Sequence, residues 1–237
     1  MNQSKSLTKG LSILKEIMLS ENSLTASQLC LKLDIDKSTM SRLLSALIKE
    51  SFIEYKENSK ELILSDLLRK ITQHENREKL VEKTKGILDE IFYITDECSY
   101  IGILDNNSVL YLNQVDKSNR VIKTRDSIGK HAPIHTNGFG KILAAFGDVD
   151  ITKLDFKKYT TNTITSIGRF KKELEIVRQR GYAIGNEEHE FGLKSIAVPY
   201  FNNKSEFIGA IGISGLSARM DEATTHQIGQ KIFKTIN

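Results

Sequence analysis

Residues 36–50, DKSTMSRLLSALIKE, constrain the fold of this 237-residue chain more than any other segment. The apolar residues recur at the three- and four-residue spacing of an amphipathic helix that buries one face, and they are Met40, Leu43, Leu44, Leu47 and Ile48. The opposite face carries cations and hydroxyls from Lys37 to Lys49 without an acidic residue between them. Exposed helix faces usually mix both signs of charge, so this face is suited to a polyanion.

The segments around this helix predict a winged helix-turn-helix domain. Apolar spacing predicts a first helix over residues 7–19, and Thr25 with Gln28 three positions later predicts a capping box at the start of a second helix. The residues DID then turn the chain into the helix described above. Two alternating runs in residues 52–65 flank an Asn-Ser turn and predict a hairpin. The alternative is a solvated helix face in another small helical domain.

In a winged helix-turn-helix the helix after the turn enters the major groove of DNA. The residues expected to face DNA are Lys37, Ser38, Thr39, Ser41, Arg42 and Ser45. Arg42 is the candidate for a bidentate base contact, and the hydroxyls can serve bases or phosphates. Net charge does not identify this partner, because residues 1–65 carry nine Lys and Arg against eight Asp and Glu.

The remaining pattern predicts a connector followed by a sheet domain. Residues 65–95 lack proline and predict a long helix, polar in its middle, with a break near QHEN as one option. Period-two and continuous apolar runs then predict strands at CSYIGIL, SVLYLNQV, SIAVPYF and FIGAIGISG, joined as two hairpins. Helices are expected at residues 136–146, 169–180 and 221–236. The fold class is therefore α+β, with a DNA-binding domain at 1–65, a linker helix at 66–96 and a sheet domain at 97–237.

Composition places the chain among ordinary globular proteins, with 39% hydrophobic and 27% charged residues. We expect a cytoplasmic protein without a membrane partner, because neither a signal peptide nor an apolar run of ~20 residues is evident. Cys30 and Cys98 lie far apart and are expected to be buried thiols rather than a disulfide or a zinc site.

Five segments in order make the chain resemble the IclR-type bacterial transcriptional regulators. They are SLTKGLSILKEI, LTASQLCLKLDIDKSTMSRLLSALIKESFIE, IGKHAPIHTNGFGKILAAF, RQRGYAIGNEEHEFGLKSIAVPYF and GAIGISGLSARM. The resemblance implies a winged N-terminal domain, a linker helix used in dimerisation and a GAF-like C-terminal domain that binds a small effector. It therefore implies a DNA-binding regulator, which we expect to be a repressor.

The segment IHTNGFGKILAAF contains a candidate anion site. Thr136 or Asn137 can cap a helix whose first amides, near Gly138 and Gly140, lie at the positive end of the helix dipole. The alternative is that these glycines only permit helix–sheet packing. The resemblance implies an effector pocket formed by Val121, Asn137, Gly138, Phe139, Gly140, Gly185, Ser195, Gly212 and Ser214. The chain departs from the family pattern at Phe139, Gly185 and Ser195, and Phe139 is expected to narrow the pocket.

We therefore expect two partners, a pseudo-palindromic operator read by a homodimer or a dimer of dimers, and a small carboxylate effector. The effector is expected to be a keto acid or a sugar acid, with its carboxylate on the amides of residues 138–140. One alternative is an enzyme on the sheet domain with a winged protein-interaction module, and another is a winged domain that contacts RNA or protein. No cofactor is expected, and no catalytic triad, because Ser, His and Asp occur in no hydrolase motif. No metal site is expected either, because neighbours such as His131, His135 and residues 187–190 point in different directions.

Overall fold

The computed structural model describes residues 4–20 and 22–236, which form two compact units divided between Glu78 and Lys79. The helices are α1 (Lys5–Leu19), α2 (Ala26–Leu33), α3 (Lys37–Lys49), α4 (Asp66–Thr95), α5 (Gly138–Phe146), α6 (Ile167–Arg180) and α7 (Glu222–Ile236). The strands are β1 (Leu24–Thr25), β2 (Ile53–Tyr55), β3 (Glu61–Leu64), β4 (Cys98–Asp105), β5 (Ser108–Val115), β6 (His131–Pro133), β7 (Ala183–Asn186), β8 (Leu193–Phe201) and β9 (Phe207–Leu216).

The N-terminal unit is a winged helix-turn-helix, as the pattern of residues predicted. Helices α1, α2 and α3 share an apolar core with a three-stranded sheet of order β1-β3-β2. Thr25 and Gln28 form the expected capping box at the start of α2. The Asp36 carboxylate accepts the amide hydrogen of Thr39 at 2.9 Å and so caps α3. Strand β1 was not predicted, because two residues are too few to produce an alternating pattern.

Helix α4 runs without interruption from Asp66 to Thr95, so the break considered near QHEN does not occur. Its last turns carry Leu88 and Ile91, which are fully buried in the core of the second unit. This helix begins in the first unit and ends in the second, as a linker helix requires.

The second unit is built on an antiparallel six-stranded sheet of order β6-β5-β4-β9-β8-β7. Successive side chains of β8 point to opposite faces of the sheet, and each face is covered by different helices. Ile196 and Val198 pack with the end of α4 and with α7, whereas Ala197 between them packs with α5 and α6. All strands expected from apolar runs are present, and the short strands β6 and β7 are additions.

Both cysteines are free thiols. Cys98 is buried, Cys30 is only partly buried, and neither forms a disulfide. Within residues 4–20 and 22–236, no helix is both long enough and apolar enough to cross a membrane.

Candidate DNA-binding surface and effector cavity

Helix α3 presents the two faces that its sequence predicts. Met40 and Leu44 are buried in the core of the N-terminal unit, and Leu43, Leu47 and Ile48 pack against it while half-buried. The turn before the helix is tight because Asp34 adopts a left-handed conformation with φ of 50°. The apolar face therefore holds α3 against α1 and α2 and directs the other face to solvent.

The solvent face of α3 carries nearly all of the predicted DNA-contacting residues. Those that are exposed are Lys37, Ser38, Ser41, Arg42 and Ser45, whereas Thr39 is half-buried. The Ser38 hydroxyl donates to Asp36 Oδ1 at 2.8 Å, so it belongs to the helix cap and can offer DNA mainly its lone pairs. Among the described residues Lys37 and Arg42 form no ion pair, and both cations are available to a polyanion.

The wing adds a cation that sequence reasoning missed. Strands β2 and β3 pair antiparallel, and Asn58 at their turn has a φ of 55°. Lys56 at the start of this turn pairs with Glu61 at 3.4 Å. Lys60 is exposed at the tip, with no ion pair in the described part of the chain. A lysine at a turn gives no sequence signal for DNA contact, and Lys60 becomes a candidate only because it lies in the hairpin of a winged helix-turn-helix.

A cavity of about 390 Å³ lies in the second unit, and each of the strands β4 to β9 contributes to its wall. Its wall includes four of the residues expected from the family resemblance, which are Asn137, Gly185, Ser195 and Ser214. Cross-strand pairing explains why three of them converge, because Gly185 pairs with Ser195 and Ser195 pairs with Ser214. Glycine is required at 185, since a Cβ there would lie 2.4 Å from Ser195 Oγ.

Two of the first three amides of α5 are already bonded within the protein. The Gly138 amide donates to Ser195 Oγ at 2.9 Å, and the Gly140 amide donates to Asn137 Oδ1 at 2.9 Å. Asn137 rather than Thr136 is therefore the cap of α5. These two amides are not free for a ligand carboxylate, so the structure does not support the anion site predicted for them from the sequence.

The glycines of this region serve close packing, which is the alternative left open by the sequence. A Cβ on Gly138 would lie 3.1 Å from the carbonyl oxygen of Ala183, and one on Gly140 would lie 2.1 Å from that of Ile134. Gly212 is equally confined, because a Cβ on it would lie 2.0 Å from the carbonyl oxygen of Ile196. None of these three glycines is among the residues that line the cavity.

Two further predicted residues do not line the cavity. Val121 is 99% exposed. Phe139 is fully buried behind the wall, where its ring makes edge contacts with Tyr100 and Tyr111, at centroid distances of 6.0 and 5.3 Å. Phe139 therefore supports the two tyrosines that form the aromatic wall and does not itself occupy the space of a ligand.

Cations dominate the charged part of the cavity wall. Lys123, Arg125 and Lys130 line it together with a single carboxylate, Glu190. Lys123 is 3.6 Å from Asp116, which compensates part of its charge. Arg125 forms no ion pair within the described residues. The wall is therefore electropositive, and a guanidinium without a carboxylate partner is suited to bind one.

The tyrosines supply polar groups on the aromatic side. The Tyr100 hydroxyl is 2.7 Å from Thr124 Oγ1, whereas the Tyr111 hydroxyl has no protein hydrogen-bond partner among the described residues. Burial raises the pKa of Tyr111, so its hydroxyl remains protonated and can donate. The Ser195 hydroxyl can donate as well, because its oxygen accepts the Gly138 amide hydrogen and its own hydrogen is not used in that bond. The Tyr111 and Ser195 hydroxyls are thus hydrogen-bond donors in the cavity wall that a hydroxyl or carbonyl group of a ligand could accept from.

The histidines and acids considered for metal binding have separate partners. His131 Nε2 is 2.9 Å from Asp105, and His135 Nε2 is 2.9 Å from the carbonyl oxygen of Lys157. Glu188 is buried against Lys141 at 2.8 Å. In the part of the chain that the structure describes, no three His, Cys, Asp or Glu side chains converge as metal ligands would. A buried lysine such as Lys141 could not be told from a surface lysine by its sequence context.

Known proteins with similar sequences are transcriptional regulators. The family model described as "Bacterial transcriptional regulator IclR C-terminal" matches residues 72–236, and the "IclR helix-turn-helix domain" matches residues 6–57. The HTH-type transcriptional regulator KdgR of Dickeya chrysanthemi is 29% identical over 87% of this chain and 70% of its own length. The transcriptional repressor IclR of Escherichia coli strain K12 is 28% identical over 98% of this chain and 87% of its own.

Solved structures share the fold. The IclR structure from Thermotoga maritima matches with a TM-score of 0.63 at 23% identity, covering 98% of this chain and 95% of that one. An IclR homologue from Microbacterium hydrocarbonoxydans, crystallised in complex with 4-hydroxybenzoate, matches with a TM-score of 0.59 at 17% identity and covers 98% and 97%.

Proposed function

This chain belongs to the IclR family of bacterial transcriptional regulators, and we propose that it reads its operator with the exposed face of α3. Family membership decides against the alternative of an enzyme on the sheet domain. The observation that supports DNA binding is that one face of α3 is exposed, cationic and free of acidic residues. This face consists of Lys37, Ser41, Arg42 and Ser45. Arg42 would contact a base edge, Lys37 a phosphate, and Lys60 of the wing a further phosphate.

We place the DNA-binding function in residues 1–65, the linker helix in residues 66–96 and effector binding in residues 97–237. We also propose self-association as a homodimer or a dimer of dimers. One observation supports it. Leu67 and Ile71 of α4 are 57% and 55% exposed, and a second copy would remove this apolar surface from water. A dimer would read two half-sites, so we expect a pseudo-palindromic operator. A monomer in sedimentation at micromolar concentration, with and without DNA, would contradict this.

We propose that the effector is a small organic acid bound in the cavity of the second unit. Its carboxylate would meet Arg125, with Lys123 and Lys130 nearby, rather than the Gly138 and Gly140 amides, which are engaged. Its hydroxyl or carbonyl groups would meet Ser195 and the Tyr111 hydroxyl, which bonds to none of the described residues. Keto acids and sugar acids fit these groups. The aromatic wall extends the candidates to aromatic acids, and 4-hydroxybenzoate in one structural relative belongs to this class.

The protein would act in the cytoplasm, where a bacterial operator lies, and we propose that it acts as a repressor. A relative that covers nearly the whole chain is named a transcriptional repressor. An effector can change operator affinity only by its differential affinity for two conformations, typically 1–3 kcal/mol per coupling. Deletion of the gene should raise expression beside its binding sites, and a fall in that expression would identify an activator instead.

The experiment begins with selection of bound fragments from the source genome. Operator release and thermal shift are then measured with gluconate, pyruvate and 4-hydroxybenzoate, each beside its neutral amide analogue. The proposal predicts that at least one acid acts and that its amide does not, because the amide cannot pair with Arg125. Activity of the neutral compounds alone would contradict the proposed carboxylate subsite.

A further inference from the structure

One short segment of the second unit contacts both the effector cavity and the end of the linker helix. We call residues 116–127 the bridging segment; it contains neither helix nor strand. Its position therefore depends on the side chains that anchor it, and those anchors lie at its two ends.

The first end of the bridging segment holds the last turns of α4. Lys117 Nζ is 2.8 Å from Asp89 Oδ1 and lies 5.2 Å from the centre of the Tyr93 ring. Arg120 Nη1 donates to the carbonyl oxygen of Asp96 at 2.6 Å, directly after the helix. Both cations thus reach from the segment onto the same stretch of chain.

Arg120 also binds a buried carboxylate. Its Nη1 lies 2.8 Å from Glu97 Oε1, and Glu97 is only 5% exposed. Arg219 Nη2 contacts the other oxygen, Glu97 Oε2, at 2.7 Å. A buried carboxylate needs such partners to offset its lost hydration, so removal of one of them costs more than the loss of a surface ion pair. Glu97 consequently ties the bridging segment to the junction of α4 and β4.

The second end of the bridging segment forms part of the cavity. Lys123, Thr124, Arg125 and Ser127 line the wall, and Thr124 Oγ1 is 2.7 Å from the hydroxyl of Tyr100, which lines it as well. Lys123 lies 3.6 Å from Asp116, so that an ion pair spans the segment from its start to its cavity end. A ligand that binds Arg125, or that breaks the Tyr100–Thr124 hydrogen bond, therefore contacts the same short segment that contains Lys117 and Arg120.

We infer that the bridging segment transmits effector occupancy to the linker helix through Lys117 and Arg120. The inference rests on the proposed function, because it takes this cavity as the effector site. Movement of the segment changes the two ion pairs at the end of α4, and α4 continues into the DNA-binding unit. Lys117 and Arg120 are positioning residues in this scheme, since they contact α4 and its junction and do not line the cavity.

Hydrogen–deuterium exchange of the full-length protein tests the transmission without a ligand. Thr124→Val removes the hydrogen bond to Tyr100 at the cavity end. We expect amides of residues 89–97 to exchange about three-fold faster in this variant than in the wild type. The reason is that the contacts of Lys117 and Arg120, which oppose local opening of residues 89–97, would be weakened. In a Lys117→Ala/Arg120→Ala background, adding Thr124→Val should leave the exchange of residues 89–97 unchanged while still accelerating that of residues 123–127.

Matched controls and a milder variant keep the test decisive. Lys158→Ala and Arg169→Ala remove exposed cations elsewhere and should preserve the wild-type response to Thr124→Val. Lys117→Ala is the milder variant, because the Lys117 side chain is 47% exposed, and it should reduce the response partly. Acceleration confined to residues 123–127, or equal acceleration of residues 89–97 with and without the two cations, would overturn the inference. Failure of every acid to bind would contradict the proposed effector without changing this result.

Discussion

The hydroxyl oxygen of Ser195 accepts the amide hydrogen of Gly138 at 2.9 Å and thereby joins strand β8 to the first turn of α5. The bond satisfies a buried helix-terminal amide, and it leaves the hydroxyl hydrogen of Ser195 available to a ligand in the cavity that this residue lines. Ser195 thus contributes both to the stability of the sheet domain and to the polarity of the site.

Ser195→Ala is predicted to lower the free energy of unfolding by about 1–3 kcal/mol, because the Gly138 amide would stay buried without an acceptor. Urea denaturation measures the change. Ser214→Ala is the matched control, since Ser214 lines the same cavity without a hydrogen bond to the protein among the described residues. Equal costs for the two variants would mean that the Ser195–Gly138 bond contributes little.

Arg125→Ala is predicted to abolish the response to any acid that releases the operator, because the charge-assisted contact with the carboxylate is lost. Operator affinity without ligand should stay within about two-fold of the wild type, since Arg125 is exposed and forms no ion pair with any residue that the structure describes. Fluorescence anisotropy with a labelled operator reports both quantities. A normal response in Arg125→Ala, with Arg169→Ala as control, would place the carboxylate elsewhere.

Arg42→Ala is predicted to weaken operator binding by about 1–3 kcal/mol and to relax sequence preference at one position of each half-site. A bidentate arginine contact discriminates between bases, whereas a phosphate contact does not. Competition with single-position operator variants measures the preference. A uniform loss over all duplexes would assign Arg42 to the phosphate backbone.

Lys37→Ala is predicted to weaken binding to every duplex and to reduce the slope of log K against log salt by about one unit. The reason is that a lysine on a phosphate releases a counterion and carries no sequence information. A salt titration from low to physiological concentration gives the slope. An unchanged slope would remove Lys37 from the DNA interface.

The free energy of unfolding is predicted to decrease as pH falls from about 6.5 towards 5, in part because of His135. Burial lowers the pKa of His135 below its ordinary value of 6.5, so the unfolded chain binds a proton there that the folded chain does not. Stability from this group is present above the unfolded pKa and is lost as pH falls. His135→Gln, whose amide can still donate to the Lys157 carbonyl, should show a shallower dependence in denaturation curves; an identical dependence would contradict this assignment.

The DNA-binding unit was largely predictable because its signals are local. The apolar spacing of α3, the Thr25 capping box and the turn of the wing each depend on residues close together in sequence. The major strands of the sheet domain were predictable for the same reason. Strands β1, β6 and β7 were missed because two to four residues do not establish a period, and they lack the Asn-Ser turn that identified the equally short β2 and β3.

The cavity was less predictable because its chemistry is non-local. Gly138 and Gly140 suggested an anion site, but Ser195 and Asn137 already accept their hydrogen bonds, and only the first of these acceptors is distant in sequence. The cations that line the wall come from a segment without secondary structure. The contact of Arg120 with Glu97 spans 23 positions and leaves no pattern in the sequence.

The measurement that tests the central proposal most directly is the affinity ratio for a genome-selected fragment over a scrambled duplex of equal composition, determined with the full chain at physiological salt. A sequence-specific regulator that reads base edges through α3 should prefer the selected fragment by about 10³-fold or more, and Arg42→Ala should reduce that ratio at least about ten-fold. Equal affinity of the wild type for the two duplexes, or an Arg42→Ala ratio identical to that of the wild type, would contradict the proposed role of α3.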